Sequence, residues 1–563
     1  MTTKFRAVVL AAALFVLPVG AHAGVSSTRH NLSVSGPGTV KSTQESEVCV
    51  FCHAPHNAST AAQLWNRNAS TAAYVPYSSS TAMASPGQPT GSSILCLSCH
   101  DGTVALGSVL NRATQIPMAG GISTMPAGDS RIGTNLTHDH PFSFAYTSAL
   151  ASQRGELADP ATLRPEVGLE AGGQLQCTTC HDAHDDTNGN FLVLANQNST
   201  LCKVCHQKTG WAQTSHSTSA ATWNALAPDP WPSSDLTTVA ANACGSCHRS
   251  HSTSGGPRLL PYASEEQNCS ACHNGHVATR DVMTAFASAS SHPIGSTTGV
   301  HDPAEPALIG SRHVECADCH DPHAARANAD PVQGVLSNVR GINLAGSAVK
   351  PVTKTYELCF RCHSDNLSLP APRTARQLTQ TNTRLEYQLS NPSYHPVAGA
   401  GKNANVPSLI SPWTVSSTMS CTDCHNSSSA RALGGSGPNG PHGSTYAPIL
   451  NRNYAVADNT SESATAYALC YACHSRTSIL GDQSFKEHRK HISGETTPCN
   501  VCHDPHGVSA TQGTAANNSH LINFDTTVVQ PNGRGLRRFV DGGTYTGSCD
   551  LLCHNKDHDG LGY

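Results

Sequence analysis

One long apolar run, residues 7–20, stands at the start of the chain, and nothing comparable follows it. Beyond it, neither the 3.6-residue period of an amphipathic helix nor the two-residue alternation of a half-buried strand is sustained. Instead, cysteine pairs recur at irregular intervals of 25 to 81 residues, separated by stretches rich in Ser, Thr, Gly and Pro. This pattern predicts a coil-rich fold with little β structure, in which short α-helices at or just before the cysteine pairs are joined by loops and turns.

Composition sharpens the problem. Only 38% of the 563 residues are hydrophobic, 5% aromatic and 13% charged. A chain this poor in apolar side chains cannot enclose an ordinary core, so it is either disordered or organised around something that is not protein. The 24 cysteines favour the second answer.

The apolar run itself reads as an export signal. Lys4 and Arg6 precede it, and Ala21-His22-Ala23 supplies a small-residue cleavage site before Gly24. At 14 residues it is shorter than the roughly 20 a membrane span needs. Residues 1–23 are therefore expected to be removed, leaving an exported, soluble chain in the periplasm or at the cell surface or beyond. The first cysteine, Cys49, lies far from the cleavage site, so no lipid attachment point is expected. Losing Lys4 and Arg6 takes the formal charge from −4 to −6, a poor match for nucleic acid.

Each cysteine pair is followed directly by histidine. The sets are Cys49/Cys52/His53, Cys96/Cys99/His100, Cys177/Cys180/His181, Cys202/Cys205/His206, Cys244/Cys247/His248 and Cys269/Cys272/His273. They continue with Cys316/Cys319/His320, Cys359/Cys362/His363, Cys421/Cys424/His425, Cys470/Cys473/His474 and Cys499/Cys502/His503. A final CxxxCH variant, Cys549/Cys553/His554, uses the last two cysteines.

The spacing has a chemical reason. Two thiols add across the two vinyl groups of one porphyrin, and the adjoining histidine is then held beneath the iron as proximal ligand. Disulfide frameworks, zinc sites and redox dithiols also use such pairs, but none requires histidine directly after every one. The expectation is twelve covalently attached haem c groups, whose faces replace the missing core.

The sixth coordination position decides between an electron carrier and an enzyme. Of 32 histidines, twelve lie in the motifs and His22 in the signal, leaving nineteen. Twelve of these follow a pattern of two-motif units, with one histidine upstream of the first motif and another three residues beyond it. Successive units offer His30 and His56, His140 and His184, His216 and His251, and His292 and His323. The fifth offers His395 but lacks a close histidine, so His442 stands in; the sixth has His491 and His506, with His488 competing for the upstream role. A histidine three residues past a motif is expected to reach a neighbouring haem, because the near face of its own iron is taken. His138, His276, His301, His313, His488, His520 and His558 are expected to be surface or propionate-binding residues. Methionine is scarce, with six in all, and keeps no constant offset from the motifs, which favours bis-histidine, low-potential haems.

The doubled motif resembles that of multihaem cytochromes of metal-reducing bacteria, in particular the Omc-type outer-surface group. The resemblance rests on His30-Asn31-Leu32-Ser33, on Cys-Val-Phe-Cys-His-Ala-Pro-His ending at His56, on Leu95-Cys96-Leu97-Ser98-Cys99-His100-Asp101-Gly102, and on the Cys-His-Asp-Pro-His segments ending at His323 and His506. The first part of the mature chain, 24–210, is similar to OmcE-like tetrahaem members, which assemble into filaments. The resemblance implies bis-histidine haems stacked in alternating parallel and crossed pairs, and electron transfer to other redox proteins or to extracellular metal acceptors. This chain departs from those members by continuing for eight further haems, which leaves a homopolymer filament open. The expected organisation is a tetrahaem region 24–210 and two-haem units at 211–285, 286–385, 386–480 and 481–563. The expected function is an electron conduit with no catalytic residue; the alternative is a multihaem reductase with one open-coordination haem.

Overall fold

The computed structural model describes residues 24–60, 62–232, 234–251, 256–295, 300–308, 313–366 and 372–563. The expected signal, 1–23, lies outside the described residues. The chain divides into two compact bodies. The N-terminal body holds the first four motifs, and the C-terminal body, essentially everything from 207 onward, holds the other eight.

Both bodies are coil-rich with short helices. Among the described residues Gly91–His100, at ten residues, is the longest helix, followed by Glu265–His273 and Thr355–His363 at nine each. Isolated helices this short are unstable in water, so caps and tertiary contacts must hold them. The caps are side-chain oxygens: Thr147, Thr214, Thr238, Ser264, Asp281 and Ser475 each accept a backbone N–H from the first turn of the helix that follows.

Apolar packing is divided among small clusters, several of them beside motif cysteines. In the N-terminal body Val50, Phe51, Leu106, Ile116 and Met118 pack with Cys52 and Cys99, while Tyr74, Leu97, Leu136, Phe142, Tyr146 and Leu175 pack near Cys205. In the C-terminal body Ile342, Phe360, Tyr387 and Tyr394 form one cluster and Tyr467 and Ile492 another. The Trp- and Pro-rich stretch 211–243 turns inward: Trp231, 3% exposed, packs on Val239 and Val277. Likewise, Arg376 in the stretch 374–389 donates to the carbonyls of Asn500, Asn523 and His503.

Strand pairing among the described residues is confined to two-residue pairs and one sheet at the C-terminus. There, Arg538–Asp541, Gly547–Cys553 and Lys556–Gly562 run antiparallel, and Val529–Gln530 pairs with the end of the central strand. Its last hairpin turns through His554 and Asn555, at φ 48° and 61°, with Cys553 facing Lys556. Two successive positive φ values in a two-residue loop match the twist of the strands they join. The face carrying Leu551 packs on Val501, Phe524, Val529 and Phe539.

Candidate haem sites

Eleven motifs share one local geometry. Each CxxC lies on a helical turn, from Cys49–Phe51 through Cys499–Cys502. In eight of them the histidine N–H donates to the carbonyl of the first cysteine at 2.8–3.0 Å, and His100, His273 and His363 close α-helices. One turn of helix rises about 5.4 Å, so it brings the two sulfurs to the same side of the chain with the histidine directly after them. The twelfth motif differs: Cys549 and Cys553 lie along the strand Gly547–Cys553. No disulfide joins any of the 24 cysteines.

The imidazoles come in pairs. In the N-terminal body His53 faces His184 at 6.0 Å between ring centres, His100 faces His30 at 6.2 Å, and His206 faces His140 at 6.1 Å. In the C-terminal body His248 faces His323 and His273 faces His216, both at 6.1 Å, while His320 faces His442 and His425 faces His506, both at 6.2 Å. His363 faces His292 and His503 faces His488, both at 6.4 Å, and His491 faces His558 at 6.3 Å. His395 is close enough to His474 to help burial pull the latter's pKa down to about 4.

These separations test whether haem fits. An imidazole bound through Nε2 at about 2 Å has its ring centre about 3 Å from the metal, so two trans imidazoles on one iron stand about 6.3 Å apart. The ten pairs fit.

The other ring nitrogen supports the same assignment. Nδ1 donates to a backbone carbonyl in His100 (Ser130, 2.7 Å), His248 (Arg258, 3.0 Å), His320 (Val335, 3.0 Å), His425 (Pro448, 3.0 Å) and His503 (His520, 2.9 Å). It does so too in His30 (Ala183, 3.0 Å), His216 (Pro322, 3.0 Å) and His292 (Pro441, 2.7 Å). His395 donates in the same way to Pro505. A carbonyl only accepts, so these tautomers are fixed with Nε2 as the lone-pair nitrogen turned toward the metal position.

Burial favours the neutral form, which a metal ligand must have, in several of these imidazoles. It pulls His273, His363, His425, His442 and His503 down to about 4 and His488 to about 3, with neighbouring imidazoles adding to the effect. His506 goes the other way. Burial opposes its protonation, but the Glu386 carboxylate, 3.0 Å from Nδ1, carries its pKa above the ordinary value.

Which motif each histidine faces follows a rule not stated in the spacing. An upstream histidine faces the second motif of its own unit: His30 to His100, His140 to His206, His216 to His273, His292 to His363. A close histidine faces the first motif of the preceding unit: His184 to His53, His323 to His248, His506 to His425. His442 takes this second role for His320. His56 and His251 are exposed, and His181 donates through Nδ1 to Asn190 at 3.0 Å. Sequence reasoning gave His488 and His558 surface or propionate-binding roles, with His488 also a candidate for the upstream position; in the structure each joins a ring pair. The signal that could have singled out His488 is its three-residue spacing from His491 in a helical segment.

Successive motifs also touch through their cysteines. Within two-motif units the second cysteines are neighbours: burial and the proximity of Cys99 push the Cys52 thiol up to about 12, and Cys180 and Cys205, Cys247 and Cys272, and Cys424 and Cys473 are related alike. Between units the first cysteines meet, Cys96 on Cys177, Cys269 on Cys316, Cys359 on Cys421 and Cys470 on Cys499. A carboxylate and histidine cluster flanks the seventh motif, where His301 lies 3.2 Å from Glu315 and His313 lies 2.8 Å from Glu305. Arg361, inside the eighth motif, takes the place of a cation there, 3.3 Å from Asp318 and 3.5 Å from Glu305.

Residues 170–210, which span the third and fourth motifs, match the doubled CXXCH motif family. No curated protein matches the chain. The match and the motifs support multihaem c-type cytochrome character, and the CXXCH sequences imply covalently bound haem c.

Proposed function

We propose that the chain is a dodecahaem c-type cytochrome, exported to the periplasm or cell surface, that carries electrons along a row of bis-histidine haems to partner cytochromes or extracellular metal acceptors. In this reading it is an electron carrier, built as a tetrahaem region, 24–210, followed by four two-haem units. The observation that carries it is the set of ten imidazole pairs at 6.0–6.4 Å.

Haem, once bound, supplies a one-electron ferric–ferrous couple. The chain's residues do the rest. The cysteines would tether, and at the ten motif positions where imidazoles pair, both faces would be taken and leave no position for a substrate. Nδ1 bonds to backbone carbonyls hold nine of the rings, those of His30, His100, His216, His248, His292, His320, His395, His425 and His503, in one orientation, which would keep reorganisation small. The cysteine contacts support a haem order that follows the sequence, through motifs one to four in the N-terminal body and five to twelve in the C-terminal body. Among the described residues no helix is long and apolar enough to cross a membrane.

Low-temperature EPR of the oxidised holoprotein, with haem counted by pyridine haemochrome, tests the reading. Twelve haems and low-spin signals throughout are expected. A sizeable high-spin signal in the unmodified protein would instead identify an open iron and a reductase.

A further inference from the structure

We propose that Glu386 holds the ninth haem at a lower potential than the haems on either side of it, acting as a positioning residue through the imidazole of His506; the inference rests on the haem reading above. His506 faces His425, the ninth motif's histidine, at 6.2 Å between ring centres. Its Nδ1 donates to Oε2 of Glu386 at 3.0 Å, and the Glu386 side chain is 8% exposed. The acceptor is held from two sides. Glu386 ends the short helix Thr383–Glu386, and Asn391 Nδ2 donates to its carbonyl at 2.8 Å. Pairing of Ser393–Tyr394 with Gly507–Val508 brings the chain next to His506 alongside, and the Tyr387 ring stands 5.6 Å from that of His506.

The neighbouring pairs meet neutral acceptors. At the eighth motif His292 donates Nδ1 to the carbonyl of Pro441 at 2.7 Å. At the tenth His395 donates to the carbonyl of Pro505, and His474 Nδ1 lies 2.9 Å from the Ser408 hydroxyl. The aspartates beside the other close histidines hold them less firmly: Asp182, half exposed, lies 3.4 Å from His184, and Asp321 lies 3.7 Å from His323. Asp504, two residues before His506, turns to Arg376 at 3.5 Å and to the Asn523 amide at 3.1 Å. A carboxylate acceptor makes the bond to His506 charge-assisted, roughly twice as strong as one to a carbonyl, and burial keeps water from screening it. It draws on the Nδ1 proton and raises the electron density on Nε2, which makes the ligand more basic. A more basic ligand with a negative charge behind it stabilises ferric over ferrous iron. The cysteine contacts put motifs eight, nine and ten in succession, Cys359 on Cys421 and Cys424 beside Cys473. An electron travelling between the eighth and tenth irons therefore meets its energy step at the ninth. His506 keeps its Nδ1 proton while one iron is oxidised and the next reduced, so only the electron moves.

The test is a redox titration of the exported holoprotein followed haem by haem by NMR, with intact mass for haem number and EPR for spin state, on the unmodified chain, Glu386→Gln and Glu386→Asp. In the unmodified chain the ninth haem is expected to be reduced after both the eighth and the tenth. Glu386→Gln keeps the shape of the side chain and removes its charge. At a fixed solution potential the ferric-to-ferrous ratio of the ninth haem should then fall about tenfold, a rise of about 59 mV for one electron, with every haem still low-spin. Glu386→Asp keeps the charge and should move that haem less than Glu386→Gln does. A ninth haem reduced ahead of either neighbour in the unmodified chain, an unmoved potential in Glu386→Gln, or equal shifts in the two variants overturns the inference and leaves the haem reading intact. The first of these measurements needs no substitution, so it decides the matter where a variant folds poorly. A ninth haem that is missing or high-spin in the unmodified chain overturns the haem reading at this motif and the inference with it.

Discussion

At His425 and Pro448, or at His100 and Ser130, one hydrogen bond decides which nitrogen of a buried ring remains for iron. The residue type is written in the motif, but the carbonyl that orients it comes from a loop 23 or 30 residues further on. Arg67 shows the same dependence. Fully buried, it donates to the carbonyls of Leu106, Ala105 and Ser98 at 2.7–3.1 Å and so ties the loop after the second motif to its helix. Arg67→Met removes all three of these hydrogen bonds, the Ala105 carbonyl alone keeping another donor in the Ser108 N–H, and should lower stability by about 2–4 kcal/mol, read from denaturant unfolding of the holoprotein. Glu462 gives a pH-dependent case. Hydrogen bonds from Arg476 at 2.6 and 2.8 Å and from Tyr471 at 2.9 Å outweigh burial and hold its pKa below the ordinary carboxylate value. A pKa depressed in the folded state contributes stability that is present above about pH 4.5 and lost as the pH falls through the native value. Glu462→Gln should therefore cost about 1 kcal/mol at neutral pH and nothing at the acid end, measured as unfolding midpoints across pH.

At the scale of elements, the helical turn is the unit the sequence specifies well. Five residues of local chain, Cys-x-x-Cys-His, suffice to build it, because its bonds run from residue i to i−4. The short helices and coil were legible from the missing periodicity, whereas the C-terminal sheet was not, since Gly547–Cys553 gains its partners from segments on both sides. The two histidine roles were legible as positions and not as destinations. His184 lies three residues past the third motif but faces His53 of the first, over a separation the spacing does not encode. His184→Ala should thus open the iron of the first motif and not the third. About one haem in twelve should become high-spin, with haem mass unchanged, and mapping the altered haem by NMR assigns it. An opened third-motif haem would contradict the pairing.

Over the whole molecule, seven of the ten ring pairs fall into two sets, the others (His425–His506, His488–His503 and His491–His558) lying between them at 48°, 46° and 30°. Those made by upstream histidines are steeply inclined in four cases, at 71°, 81°, 81° and 55°, whereas His53–His184, His248–His323 and His320–His442 lie within 13°, 11° and 20° of parallel. The mutual angle of two axial imidazoles sets the splitting of the iron d orbitals. EPR of the oxidised protein should accordingly resolve two families of low-spin signals, and a single family would contradict the alternation. Voltammetry should show overlapping one-electron waves below the potentials of Met/His-ligated cytochromes, because imidazole on both faces favours the ferric state relative to thioether.

By itself the sequence determined the attachment chemistry of eleven motifs, since thiols three residues apart and an adjoining histidine form a local turn that depends on nothing distant. It also determined that the core could not be ordinary protein, from 38% hydrophobic content alone. Tertiary structure decided which imidazole faces which and the order in which cysteines meet. Those depend on long-range packing, where a ring's partner is set by the fold of segments a hundred or more residues away, as His506 and Glu386 illustrate.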